Sequence, residues 1–295
     1  MSPASGLPRR VHCTGVAGGG VSVLAGLLAS LDHEVSGSDR AGVPASLVAA
    51  GVRAATDDGP SLASRAELLV RSAAVPDDDA EVTAARDAGV PVIKYAEALG
   101  RLMAGRRGVA VAGTHGKTTT TALTAHLLQH AGKAPAWIVG GRPLGLPSSA
   151  WGRGEVLVAE ACEYDLSFLQ LDYEVAVITG VAADHLDCFG DLEGVRAAFR
   201  RFAARVPPGG SLVLGPGLSP DGLVDDVPPE RVVAVDDTLR LESLQPDDQG
   251  WRGELLVDGE RRLALRCPLW GTHNLHNALC ALAAARAVGV DVEEG

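Results

Sequence analysis

The stretch Gly108–Thr121, GVAVAGTHGKTTTT, constrains the fold of this chain more than any other. Val109–Ala112 is an apolar run of the kind that forms a strand buried on both faces. Gly113-Thr114-His115-Gly116-Lys117-Thr118-Thr119 follows, and Ala122–Gln129 reads as a helix. A strand that enters a glycine turn and leaves as a helix headed by Gly-Lys-Thr has the layout of a phosphate-binding loop. The first N–H groups of a helix have no partners within it and can donate to phosphate oxygens. Lys117 supplies a neutralising charge, and Thr118 a hydroxyl for a magnesium ion. The position six residues before Lys117, glycine in the usual pattern, is Val111. The expectation is an ATP site.

A chain of 295 residues is long enough for two domains. Its net charge of −11 argues against general nucleic-acid binding, so a phosphorylated ligand must meet local positive charge. Lysine is scarce: Lys94, Lys117 and Lys133 are all there are, which gives the lysine of the Gly-Lys-Thr turn more weight. The five cysteines, Cys13, Cys162, Cys188, Cys267 and Cys280, are odd in number and widely spaced. That argues against a zinc site or a disulfide framework and fits a reducing, cytoplasmic setting. Arg9-Arg10 ahead of Val11–Leu31 resembles a signal peptide or membrane span. Five glycines, His12 and several hydroxyls interrupt that run, and Asp32-His33-Glu34 ends it. A strand–turn–helix explains it better, and no membrane association is expected.

The expected strand is Val11–Thr14, the turn Gly15–Gly20 and the helix Val21–Leu31, with Ser22 near its start. A second strand, Glu34–Gly37, ends at Ser38-Asp39, placing an acidic residue about 20 residues beyond the glycines. Val52–Ala55, Glu67–Arg71 and Pro91–Ile93 read as further strands, and Asp79–Ala88 and Ala96–Met103 as helices. This alternation predicts a Rossmann-like parallel sheet covered by helices, over residues 1–104. Ligands of such sheets lie at the carboxyl ends of the strands, so Gly15–Ser22, Asp39 and Ser72–Ala74 form one candidate site. Ala17 stands where the dinucleotide fingerprint has its second glycine.

Arg106-Arg107-Gly108 reads as a hinge into a second α/β domain, 105–295, built on the phosphate loop. Ala136–Val139, Glu155–Ala159, Val175–Thr179, Ser211–Leu214 and Val232–Val235 read as strands, Gly140–Gly154 as a loop and Asp191–Arg205 as a helix. Glu160 at a strand's carboxyl end is where a magnesium ligand is expected; Glu163 and Asp165 follow so closely that spacing does not choose among the three. His185, between Asp184 and Asp187, is a candidate metal ligand or base, or a solvated loop residue. Glu254–Val257 and Arg262–Arg266, joined through Asp258-Gly259, read as a hairpin. Gly271–Asn277 opens a helix expected at Ala278–Val288; Asn274 suits either an adenine edge or a helix cap.

Taken in order, these segments resemble the Mur ligases over nearly the whole chain. The resemblance rests on Gly15-x-Ala17-Gly18-x-Gly20-x-Ser22, Ser36-Gly37-Ser38-Asp39, Ser72-Ala73-Ala74, the Gly113–Thr120 loop, Glu160–Asp165, Asp184–Asp187 and Gly271-Thr272-His273-Asn274-x-x-Asn277. It implies an ATP- and Mg2+-dependent ligase of peptidoglycan precursor synthesis. Within the family it points to joining L-alanine to UDP-N-acetylmuramate through an acyl phosphate. It implies catalytic roles for Lys117, Glu160 and His185, and metal ligation by Thr118, Glu160 and His185. ATP contacts would come from Gly113, Thr114, His115, Gly116, Lys117, Thr118, Thr119, His273, Asn274 and Asn277. The UDP-sugar would meet Gly15, Ala17, Gly18, Gly20, Ser22, Asp39 and Ser72.

The departures are Ala17 for a glycine, Gly180 where many relatives have Asn, and Ser148-Ser149 in a loop that usually carries Asn. No lysine follows Lys133, so the carbamoylated lysine that some relatives place beside the metal is not expected. The family's amino-acid-binding third domain is expected to be absent here, or carried by a separate chain. Competing readings are a recycling ligase that adds a whole peptide, a non-catalytic sensor of nucleotide-sugar and ATP, and an NAD-dependent dehydrogenase. The last leaves the Gly-Lys-Thr loop without a purpose.

Overall fold

A computed structural model describes residues 6–143 and 145–293. The chain ends and Leu144, within the loop expected at Gly140–Gly154, lie outside the described residues. The fold is α/β, as the alternation predicts. Five parallel strands, β1 (Arg10–Thr14), β2 (Glu34–Ser38), β3 (Arg53–Ala54), β4 (Leu68–Arg71) and β5 (Val92–Lys94), form the first sheet in the order β3-β2-β1-β4-β5. Helices α1 (Gly19–Ser30), α2 (Ala45–Ala49), α3 (Gly59–Ala63) and α4 (Ala80–Asp87) alternate with them, and α5 (Tyr95–Met103) follows β5. The order reverses between β1 and β4, so the loops beginning at Gly15 and Ser72 flank the switch point, where a parallel sheet opens a crevice.

The second sheet is organised around β6 (Arg107–Ala112), which leads through Gly113–Gly116 into α6 (Lys117–His130). Strands β7 (Ala136–Ile138), β8 (Ser149–Ala150), β9 (Val156–Glu160), β10 (Val175–Ile178), β11 (Ser211–Leu214) and β12 (Val232–Ala234) complete the order β12-β11-β10-β6-β9-β7-β8. Only β8 runs antiparallel to its neighbour. β6 therefore lies between β9 and β10, and the three segments singled out by motif leave adjacent strands at one edge. Buried valines and alanines on β6, β9 and β10 account for the absence of period-two alternation: both faces are covered.

Helices α7 (Leu186–Phe189), α8 (Leu192–Ala203) and α9 (Val235–Thr238) precede an antiparallel meander. Its strands are β13 (Leu239–Asp247), β14 (Gly250–Val257) and β15 (Arg261–Cys267), of which β13 went unforeseen. Asp258 and Gly259 turn the hairpin with positive φ, and Asp258 is held by both terminal nitrogens of Arg286 on α10 (Thr272–Ala287).

Several boundaries differ from expectation for one reason: helices begin inside polar motifs that sequence reading treats as loops. α6 starts at Lys117 rather than Ala122, and α10 at Thr272 rather than Ala278. Val235 opens α9 instead of ending β12. The segment expected as a hinge is ordered against the second sheet. Arg107 and Gly108 belong to β6, and Arg106 donates to the carbonyls of Gly152 and Gly154 with its guanidinium 4.2 Å over Trp151. One apolar cluster runs from Val11, Leu68 and Val70 through Leu99, Leu102 and Met103 of α5 to Phe168, Phe199 and Phe202. Phe168 stacks on Phe202 at 4.8 Å and meets Phe199 edge-on at 5.5 Å. The two sheets are thus packed through α5 and the 3₁₀ segment Tyr164–Gln170.

Candidate functional site

At the first switch point, the N–H groups of Gly15 and Val16 donate to the Ser38 carbonyl, which ties the turn to the end of β2. Asp39 closes it: one carboxylate oxygen accepts from the Ala17 N–H at 2.9 Å, the other from Ala41. Helix α1 starts at Gly19 with no side-chain cap and no acidic residue in its first turn, so its N–H groups face outward with the positive end of the helix dipole. Gly20 has a different task. A β-carbon there would lie 2.8 Å from the Tyr95 ring, so glycine is required for α1 to seat on α5. The Ser22 N–H is used inside the helix, on the Gly18 carbonyl.

A cavity of about 550 Å³ opens at this edge, lined by Gly15, Gly18, Asp39 and Ser72 among others. Its wall includes Glu81, a residue the sequence reading passed over. One Glu81 carboxylate oxygen accepts from Thr14 at 2.7 Å, from Ser38, and faces His12 Nε2 at 3.0 Å. Burial pushes the Glu81 carboxyl up, but the hydrogen bonds from His12, Ser38 and Thr14 outweigh it and hold the group below the ordinary carboxylate range. An ionised carboxylate thereby clamps the ends of β1 and β2 to α4.

At the second edge, Gly116 caps α6 with φ of +83°, a left-handed conformation that glycine adopts without penalty. A β-carbon there would also collide with the side-chain oxygen of Asn277. Asn277 is buried on α10 and donates to Asn274, whose own amide donates to the Trp270 carbonyl. Asn274 therefore lies inside the helix, and Gly271 occupies the cap. His273 is exposed and folds over Gly271. The loop is braced from β10: Thr179 donates to the His115 carbonyl, and the Thr114 hydroxyl accepts from the Ala182 N–H. Thr118 and Thr119 sit half-buried in the first turn of α6.

Lys117 folds back on this loop. Its ammonium donates to the Gly113 carbonyl and lies 3.0 Å from the carboxylate of Glu163. Glu163 is 2% exposed and also stands 3.9 Å from His185 Nε2. Of the three acids that spacing left equivalent, Glu163 bridges the lysine and the histidine. Asp165 turns away, in the left-handed region with Leu166, to meet Lys94 of the first sheet at 2.5 Å. Glu160 accepts from the Gly140 N–H through one oxygen, while its other oxygen is buried without a hydrogen-bond partner. Such an orphaned anionic atom suits a cation ligand. Gly141, next to Gly140, packs against Thr118, bringing the hydroxyl to the same corner. Among the described residues no three His, Cys, Asp or Glu side chains converge on one point.

A second cavity, about 290 Å³, lies between the two sheets. It is lined by Gly18 and Ser72, shared with the first cavity, and by Tyr95, Lys94, Phe168 and Glu160. Of the expected sugar-side residues, Gly15, Gly18, Asp39 and Ser72 line the larger cavity and Gly20 the smaller. Ala17 enters through its N–H on Asp39, and Ser22 lines neither. Among the described residues no helix is long and apolar enough to cross a membrane.

The family profile described as Mur ligase family, catalytic domain matches residues 10–107, and that of the Mur ligase middle domain matches 111–285. A UDP-N-acetylmuramate–L-alanine ligase of Acidothermus cellulolyticus is 40% identical over 97% of this chain, which spans 62% of that relative's length. A UDP-N-acetylmuramate:L-alanyl-gamma-D-glutamyl-meso-diaminopimelate ligase of Neisseria meningitides superposes with a TM-score of 0.83 at 27% identity, covering 97% of this chain and 95% of that one. A UDP-N-acetylmuramate-alanine ligase of Thermotoga maritima gives 0.79 at 26% identity, covering 97% and 66%.

Proposed function

The chain belongs to the Mur ligase family, and from that premise we propose that it forms the nucleotide-sugar and ATP halves of an enzyme joining L-alanine to UDP-N-acetylmuramate. One observation carries this reading: the cavity at the first switch point and the cavity between the sheets share Gly18 and Ser72, and the second ends at Glu160 beside the phosphate loop. A UDP-sugar seated with its base near Asp39 and its diphosphate at the start of α1 would extend its sugar acid toward the γ-phosphate of ATP. Residues 1–104 would hold the UDP-sugar and 105–295 ATP.

In this reading Gly113–Thr119 and Lys117 hold the polyphosphate, with Lys117 exchanging Glu163 for phosphate oxygens. Asn274 and Asn277 lie on the adenine side. Thr118, Glu160 and His185 would hold Mg2+, which fits the unpaired Glu160 oxygen; bound there, it would offset repulsion between a carboxylate and the phosphate it attacks. The carboxylate attacks the γ-phosphorus, ADP leaves, and the amine of alanine displaces phosphate from the acyl phosphate to give the amide. His185 stands 3.9 Å from Glu163, the carboxylate that holds Lys117.

Calorimetric titration with UDP-N-acetylmuramate, with and without a non-hydrolysable ATP·Mg analogue, tests the reading. Stoichiometric binding is expected; no binding by folded chain overturns it. The TM-score of 0.83 with a peptide ligase favours a second reading, in which the same sugar receives a whole peptide. ADP release dependent on L-alanine or on the peptide, with the remaining third of a relative supplied in trans, discriminates the two.

A further inference from the structure

Of the side chains lining the cavity between the sheets, only Lys94 and Glu160 carry a formal charge. The rest of the wall is glycine, two serines, Cys162, the tyrosines Tyr95 and Tyr164, and apolar side chains such as Leu99, Phe168 and Leu171. Glu160 already contributes a buried oxygen without a hydrogen-bond partner. A second carboxylate entering this space meets like-charge repulsion and loses part of its water, and a cation on the wall offsets both costs. Lys94 is the cation on that wall, one of three lysines in the chain.

Lys94 is poised rather than committed. It pairs with Asp165 at 2.5 Å, but their side chains are 37% and 45% exposed, so the pair is screened and weak. Asp165 reaches it from a segment in which Asp165 and Leu166 both hold φ of 54°. A pair formed inside the cavity is less screened by water than one at its rim. The exposed pair with Asp165 is weak enough to give way to a second anion.

We propose that Lys94 receives the carboxylate of the acidic sugar, releasing Asp165 as the substrate enters, and so selects acidic over neutral sugar nucleotides. This rests on the reading that the cavity holds the sugar of UDP-N-acetylmuramate. The selectivity comes from the first sheet, by way of a residue outside every motif that marks the family resemblance.

Calorimetry with UDP-N-acetylmuramate and with UDP-N-acetylglucosamine, which lacks the carboxylate, tests it on the parent chain, Lys94→Met, Lys94→Arg and Asp165→Asn. Lys94→Met should weaken binding of the acidic sugar about tenfold or more, the scale of one charge-assisted contact, and of the neutral sugar less than about twofold. Lys94→Arg should keep most of the discrimination, and Asp165→Asn should hold or tighten acidic-sugar binding. Equal weakening of both sugars by Lys94→Met overturns the proposal, because it assigns Lys94 to the diphosphate or to the fold. So does an Asp165→Asn loss matching that of Lys94→Met, which makes the ion pair a structural tie. A folded parent that binds no UDP-N-acetylmuramate removes the underlying reading as well; a parent that binds, with discrimination unchanged in Lys94→Met, removes this proposal alone.

Discussion

Two glycine turns in this molecule share a plan and differ in what they hold. Each follows a central strand of a largely parallel sheet, β1 or β6, and each ends at a helix N-terminus without a side-chain cap. The first turn contains no basic residue, and Asp39 occupies its Ala17 N–H. The second carries Lys117, whose charge is held in reserve by Glu163. The bracing differs too. Glu81 and Tyr95 support the first from α4 and α5, whereas Thr179 and Asn277 support the second from β10 and α10. The same topology is therefore tuned by its neighbours: a carboxylate in the turn suits the hydroxyl and N–H donors of a nucleoside, and an ammonium at the helix start suits a triphosphate.

The comparison breaks most sharply at Lys117. Lys117→Ala should weaken ATP·Mg binding by about 2–3 kcal/mol, the scale of lost charge-assisted bonds, and leave UDP-N-acetylmuramate binding unchanged; calorimetry with both ligands reads it. Loss of both affinities would mean that the two turns do not act separately. The next effect is on stability. Gly20→Ala should cost about 1–3 kcal/mol in urea unfolding, because the new methyl meets the Tyr95 ring. Gly20→Ala with Tyr95→Leu should recover part of it, and no recovery would show that the glycine serves something other than this contact.

Asp39→Asn removes the charge from the bond to Ala17 and should weaken UDP-sugar binding by about 1 kcal/mol with ATP binding unaffected. The smallest effect is a slope. The Glu81 carboxyl is held below its unfolded value, so its contribution is fully present above the ordinary glutamate range and is lost as pH falls through the lower folded value. Melting temperature measured from about pH 5 downward should therefore fall more gently in Glu81→Gln than in the parent. Parallel acid limbs would show that Glu81 does not sharpen the first turn through its charge.

Much of this was legible in the sequence. Both strand–turn–helix units, the Gly-Lys-Thr loop, Glu160 at the end of β9 and the hairpin at Asp258-Gly259 are contiguous features, set by local hydrophobic pattern and turn chemistry. Starts of α6 and α10 were misread because their first turns are polar and carry no apolar helical period. β13 was missed because a partly exposed edge strand of a meander carries a weak apolar pattern.

By itself the sequence determined which chemistry the chain can perform: a lysine and hydroxyls at a helix start, acids at strand ends, and glycines where backbone must approach a ligand or another helix. Tertiary structure alone decided which of those groups meet. Glu163 faces Lys117 and His185, while Asp165, two residues later, faces Lys94, 71 positions away in the chain. Glu81 reaches His12 across 69 positions. No local pattern encodes such pairings, because they depend on strand order and on helix packing around shared cores, and those are settled by the chain as a whole.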